Sequence, residues 1–384
     1  MLVVLLAILS VASVQSVALG APGDISPQFS PVERNTPEPV TFGECSPSRP
    51  DPLAGYVKNR FSSCQITNVR YTRHACPEAS CPLVAELLAQ VIVIRNMEPA
   101  QRRVVIGHQV GIFSYRGLPD TTRFGIGMTC TAKNPAGTAN CDAPETKITK
   151  SIAEWKARPV EYTGFTMGGE DDPNPADPPL IQDEKRTWYR LGRSLFIEGE
   201  TGDLGAPPLS SDVRCDVAGY VQGSRCVFPK TPMFLLDVRD PYEKLVSEAF
   251  RGDIAATYPG RAEGRYYAGN ASTSSGRRTY PLTRIHHDGA TRDANKAVAE
   301  RYCAARWGPD WHTGPDGTAL ECAVYPFTTT LDGAALSPGT TEGPTFTVKP
   351  VVEPVYRAME EKLGEFLGRN HVLDGDQYWV WLLG

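Results

Sequence analysis

The chain has 384 residues, 41% hydrophobic and 22% charged, the balance of a globular protein with a core and a length sufficient for two domains. Its formal net charge of −5 carries no whole-chain signature of a polyanion binder. With 35 glycines and 33 prolines, the composition favours strands and loops over a helical bundle.

Residues 1–20 are almost all apolar or small and read as a signal peptide cleaved near Gly20 or Ala21. The basic segment that usually opens such a leader is absent, which leaves an uncleaved anchor as the alternative. No other apolar run approaches the ~20 residues needed to span a bilayer. The expectation is a secreted protein with no membrane contact after cleavage. Ten cysteines in an exported chain indicate five disulfides before metal ligation. Sequential pairing is the simplest: Cys45–Cys64, Cys76–Cys81, Cys130–Cys141, Cys215–Cys226 and Cys303–Cys322. Residues 21–55 are proline-dense without apolar periodicity, an arm or linker whose end Cys45 pins to the next domain.

From 56 to 209 the pattern is mainly that of strands, at 64–71, 104–113, 124–130, 160–166 and 193–199. Alternation with β-branched and aromatic residues, broken by Gly, Pro and Asn, predicts an antiparallel, sandwich-like domain. A helix is expected at 83–94, where Leu83, Leu87, Leu88 and Val91 share a face. Glu170-Asp171-Asp172 reads as a solvated loop, because its acids lack the alternate spacing of a calcium loop.

Residues 210–384 form the second predicted domain. The Cys215–Cys226 loop closes ten intervening residues. A strand at 232–238 and a helix at 242–250 come next, then a Gly/Tyr-rich loop at 251–275 carrying the glycosylation sequon Asn270-Ala271-Ser272. A helix at 292–302, a strand at 345–349 and a helix at 353–367 complete the pattern. Arg284, Arg292 and Lys296, with Arg261, Arg265, Arg277, Arg278, Arg301 and Arg306 and the interleaved Tyr266, Tyr267 and Tyr280, are the candidate phosphate-binding face; a surface of mixed charge is the alternative. No Walker loop, GxSxG elbow or HExxH pair occurs.

Four segments carry a family resemblance: Gly223-Ser224-Arg225-Cys226-Val227-Phe228-Pro229; Asp288-Gly289-Ala290; Cys322 with Tyr325-Pro326-Phe327; and Leu373-Asp374-Gly375-Asp376-Gln377-Tyr378-Trp379-Val380. Residues 210–384 thereby resemble the NucA/NucB family of secreted deoxyribonucleases. The resemblance implies a small α/β domain with a ββα-metal-type core, making the whole chain α+β and disulfide-stapled. It also implies metal-dependent, sequence-nonspecific cleavage of DNA, with Mg²⁺ or Mn²⁺ as cofactor and DNA as partner. The chain departs from the family at the centre of the signature. Ala323 and Val324 stand where the family carries Asp and Glu, and Tyr356 falls where it carries Asn.

That departure bears on mechanism, since phosphodiester hydrolysis needs a base to activate water and hard cations prefer carboxylate oxygen. The substitutes within reach are His286, His287, Asp288 and Glu321 as candidate bases or ligands, and Glu361 and Glu365, which share a helix face, as metal ligands. Asp374 and Asp376 are expected to shape the final turn. Three functions are compatible with this pattern: a metal-dependent endodeoxyribonuclease, a non-catalytic exported module that keeps the nuclease fold to bind DNA, an envelope polymer or protein, or a purely structural exported protein.

Overall fold

Alternation of apolar and polar residues governs the chain from Tyr56 to Val227 and folds it into two facing antiparallel sheets. The computed structural model describes residues 38–45, 56–76, 81–98, 101–133, 139–169, 184–200, 203–205, 209–223, 225–237, 242, 244, 281–336 and 346–383. Strands β1 (Tyr56–Asn59), β2 (Ser62–His74), β3 (Leu83–Met97) and β4 (Arg103–Arg116) run as a meander. After β5 (Arg123–Ala132), β6 (Asn140–Cys141), β7 (Glu145–Ser151) and helix α1 (Ile152–Ala157) come β8 (Val160–Gly168), β9 (Lys185–Ile197), β10 (Asp203–Leu204), β11 (Leu209–Val217) and β12 (Arg225–Val227). One sheet has the order β1-β2-β3-β4-β8-β6, with β10 also on β2; the other is β12-β11-β9-β5-β7. Between them lie Val91, Val93, Phe124, Phe165, Tyr189 and Leu191, all buried. On the outer face of the first sheet, Val40 and Cys45 pack against Cys64, Ile66 and Ile94.

The helix expected at 83–94 is strand β3. Ala85, Leu87, Ala89, Val91 and Val93 point inward at every second residue, and β3 pairs with β2 on one side and β4 on the other. The β-branched run Val91–Ile94 is stiff in a helix and packs well in a pleat, so sheet pairing prevails over the helical spacing of Leu83, Leu87 and Leu88. Helix α1 was not expected. Ser151 and Glu154 form its capping box, and Trp155, buried beneath it, donates to the Phe124 carbonyl at 2.8 Å.

The second sheet continues past the boundary expected at 209. β11 pairs with β9 along its whole length and with β12, placing Cys215 opposite Cys226, so their bridge staples a sandwich hairpin. All five disulfides join in sequential order.

Beyond the sandwich, β13 (Met233–Asp237) lies parallel to β17 (Gln377–Leu383), whose other edge pairs with β14 (Leu282–Thr283). Helix α2 (Gly289–Trp307), β15 (Leu320–Tyr325), β16 (Thr347–Val352) and helix α3 (Glu353–Arg369) complete this unit, with β15 and β16 antiparallel. Buried Phe234, Leu236, Tyr325, Phe327, Leu363 and Phe366 form one core, and Val298, Cys303, Val324 and Phe346 another. Among the described residues antiparallel sheets dominate, helices are few, and no helix is long and apolar enough to cross a membrane.

The leader at 1–20, most of the arm at 21–55, Glu170-Asp171-Asp172, the loop at 251–275 with Asn270, and the basic and aromatic positions from 261 to 280 lie outside the described residues. So does the helix expected at 242–250, apart from Tyr242 and Lys244.

Candidate functional site

Strand β15 turns positions 323 and 324 to opposite sides. Ala323 (0% exposed) enters the aromatic core with Phe234, Tyr325 and Phe327, and Val324 (1%) enters the core with Val298, Cys303 and Phe346. Tyr242 donates to the Val324 carbonyl at 3.0 Å, and the Tyr325–Pro326 peptide is cis. Both places where the family carries acids are therefore packed in apolar surroundings.

Beside this strand, α3 presents Met359, Leu363, Phe366 and Leu367 to the core, which puts Tyr356 and Glu360 at the rim of that face. Burial, with Glu360, Glu321 and Glu300 nearby, pushes the Tyr356 phenol up, so it stays neutral. Burial also raises the Glu360 carboxyl, with Lys296 acting in the opposite sense. Glu321 is half-buried in this group, and Lys296 lies 3.8 Å from Glu300.

Glu361 and Glu365 do share a face, but it is the exposed one, and Glu365 pairs with Arg369 at 3.2 Å. The error was one of helix phase: the buried stripe Met359-Leu363-Phe366 favours Glu360 as the inward carboxylate. A hard divalent cation does not fit at the signature. Ala323 and Val324 offer no donor atom, Tyr356 offers a neutral phenol, and Lys296 faces the nearest acid. Among the described residues no three His, Cys, Asp or Glu side chains gather as a metal site.

His286 and His287 sit elsewhere, where the C-terminal unit meets the sandwich. Asp374 accepts from the backbone amides of both histidines and donates its own amide to the Tyr220 hydroxyl at 2.9 Å. Tyr220 in turn hydrogen-bonds Glu184, which is 4% exposed and also holds Arg186. The His286 ring stacks on Tyr220 with centroids 3.7 Å apart, and His287 Nε2 lies 3.7 Å from Glu184. Burial, followed by Arg284, His287 and Arg292, lowers His286 to about 4, leaving a neutral imidazole at pH 7.

Two further candidates have structural tasks. Asp288 is the N-cap of α2, accepting from the Thr291 amide at 2.9 Å and from its hydroxyl, which starts the helix at Gly289 instead of 292. Arg284 is buried, donates to the Val372 carbonyl and lies over the Tyr220 ring at 4.6 Å, so its guanidinium is not offered to DNA. Arg292 is half-buried at the start of α2 and Lys296 is exposed on it.

Sequence reasoning missed the ionic network below the histidines. Arg214 donates to Asp376 at 2.8 Å, to Asp216 at 3.0 Å and to the His371 carbonyl at 2.7 Å. His371, fully buried with a left-handed φ of 49°, bonds Asp216 through Nδ1, and Arg60 caps the carbonyls of Asn370 and His371 at 2.9 Å each. The signal available was the closing Asp374-Gly375-Asp376 segment, whose acids do shape the final turn: Asp376 accepts from the Leu373 amide at 3.0 Å. Comparison with known proteins finds no match: no family model, no curated protein and no solved structure matches the chain.

Proposed function

We propose that the C-terminal unit is a NucA/NucB-like domain that keeps the family's stapled scaffold without its catalytic acids, and that the exported protein is a non-catalytic DNA-binding module. The observation that carries this reading is the paired burial of Ala323 and Val324 in two apolar cores, which leaves the signature neither a base nor a ligand. His286, His287 and Asp288 support it, because they hold the inter-unit junction and cap a helix. The cations on the surface of α2, Lys296, Arg301 and Arg306, are of the kind that contact phosphates without reading sequence.

One observation favours a second reading, residual phosphodiester hydrolysis: Glu300, Glu321 and Glu360 gather about Tyr356, and burial raises the Glu360 carboxyl, which makes it a stronger base than an ordinary carboxylate. Supercoiled plasmid incubated with the oxidised full chain and Mg²⁺ or Mn²⁺ separates the two. The expected result is no nicked product, with a gel shift that weakens as salt rises. Nicking that disappears in Glu360→Gln establishes hydrolysis, and neither shift nor nicking overturns both readings.

A further inference from the structure

The interior of a β-sandwich is normally apolar, but here one end of it is basic. On the inner face of the first sheet, β2 contributes Ser63, Gln65 and Thr67, β3 contributes Arg95 and β4 contributes His108, all buried. From the facing sheet, Arg193 on β9 crosses to donate to the Thr67 hydroxyl at 2.6 Å. Arg95 and Arg193 are 2% and 3% exposed, and among the described residues neither forms an ion pair with a carboxylate. Arg95 has one long hydrogen bond, 3.4 Å to Gln65; its Nε, the Nε and one terminal nitrogen of Arg193, and the Ser63 hydroxyl are buried without a partner.

Beside these groups is a cleft of about 200 Å³ whose wall includes Ser63, Gln65, Arg95 and Ser211. A single water needs only ~10–15 Å³, so the space admits a small molecule. Asp212 also borders it, but its carboxylate is held by Lys133 at 2.9 Å and Arg190 at 3.1 Å.

Arg193 acts on Arg95 as a like charge, and both guanidiniums have lost their water, an arrangement that an anion relieves. We propose that this cleft binds a small oxyanion, the carboxylate or phosphate group of a ligand entering between the sheets, held by Arg95 with Ser63 and Gln65 as neutral partners, while Lys230 on the wall and Arg193 outside it add positive charge. Guanidinium forks suit both anion geometries. Burial, reinforced for Arg95 by Arg193, pushes both arginines down to about 10, which still leaves them charged at neutral pH. Burial and the same two arginines hold His108 neutral, down to about 3, so the positive charge of the site comes from the guanidiniums and from Lys230, which donates to the Val57 carbonyl at 2.7 Å. The site is independent of the nuclease-like signature and gives the sandwich a task of its own.

Isothermal titration and thermal unfolding of the oxidised full chain test this, with phosphate, sulfate, acetate and succinate added at constant ionic strength against chloride. One-to-one binding with a rise in Tm that grows with the logarithm of concentration is expected. Response to phosphate and sulfate alone identifies a phosphate-type ligand, and response to the carboxylates alone identifies an organic acid. Arg95→Met is expected to weaken binding by about 10- to 100-fold through loss of charge-assisted hydrogen bonds, while the anion-free protein holds or gains stability because an unpaired buried charge is gone. Ser63→Ile keeps both arginines and fills the cleft, so it too is expected to abolish the response. The proposal is overturned if no anion binds, or if binding is unchanged in both variants.

Discussion

At position 323 an introduced carboxylate would meet the rings of Phe234, Tyr325 and Phe327 instead of a metal or a phosphate. Placing the carboxylate of the NucA/NucB signature here with Ala323→Asp is therefore expected to destabilise the protein by about 3–5 kcal/mol, the usual cost of an uncompensated buried charge, without creating nuclease activity. Thermal unfolding beside a plasmid assay checks this; a stable variant that nicks DNA would show that the core opens to admit a charged site. Position 356 is likewise filled by a large ring, which packs beside Tyr242 with centroids 6.0 Å apart. Residue identity made the apolar character of 323 and 324 legible. The apolar packing that now fills their place required neighbours distant in sequence.

Helix α2 shows how one capping residue sets the limits of an element. Asp288 satisfies the Thr291 amide, and the helix extends to Trp307, where Gly308 closes it with a φ of 92°. Asp288→Ala is expected to cost about 1 kcal/mol of stability and to leave any DNA gel shift unchanged. A loss of binding with no loss of stability would make Asp288 a functional residue. Along α3, helical periodicity correctly paired Glu361 with Glu365, but their phase depended on where Phe366 and Leu363 found a core. In β3 the ambiguity was greater: Leu83, Leu87, Leu88 and Val91 satisfy a helix and a strand about equally, and only pairing with β2 and β4 resolves them.

Across the whole molecule, stability should respond to pH through three groups, buried His108 and half-buried His286 and Asp376. His108 is held neutral in the fold, to about 3, whereas an unfolded histidine protonates near ~6.5. Between those values the unfolded state binds the extra proton, so stability declines as pH falls, by up to ~1.4 kcal/mol per pH unit. His286, lowered to about 4, acts in the same direction, weakened by its solvent exposure. Burial tends to raise the Asp376 carboxyl, but Arg214, Arg60 and Arg186 outweigh it and hold the group below the usual range. Its contribution is therefore present above the unfolded value of ~3.9 and is lost as pH falls through the folded one. Tm measured from pH 8 to 3 should fall below about 6.5, with His108→Leu flattening the upper limb and Asp376→Asn removing the lowest step. A profile unchanged by His108→Leu would mean that the imidazole is charged inside the sandwich.

The sequence by itself determined what local chemistry controls: the strand-rich character of the first part, the sequential disulfides, the two helices of the second part and the apolar pair at 323 and 324. Alternation, helical spacing and cysteine order are short-range signals, so they survive without knowledge of the fold. Only the tertiary structure decided that β11 and β12 belong to the sandwich, that the histidines and Arg284 serve the junction, and that Arg95 and Arg193 are both buried between the sheets. Each of these depends on which face a residue turns toward a partner far along the chain, and a single strand's pattern does not encode that choice when polar residues occupy inward positions.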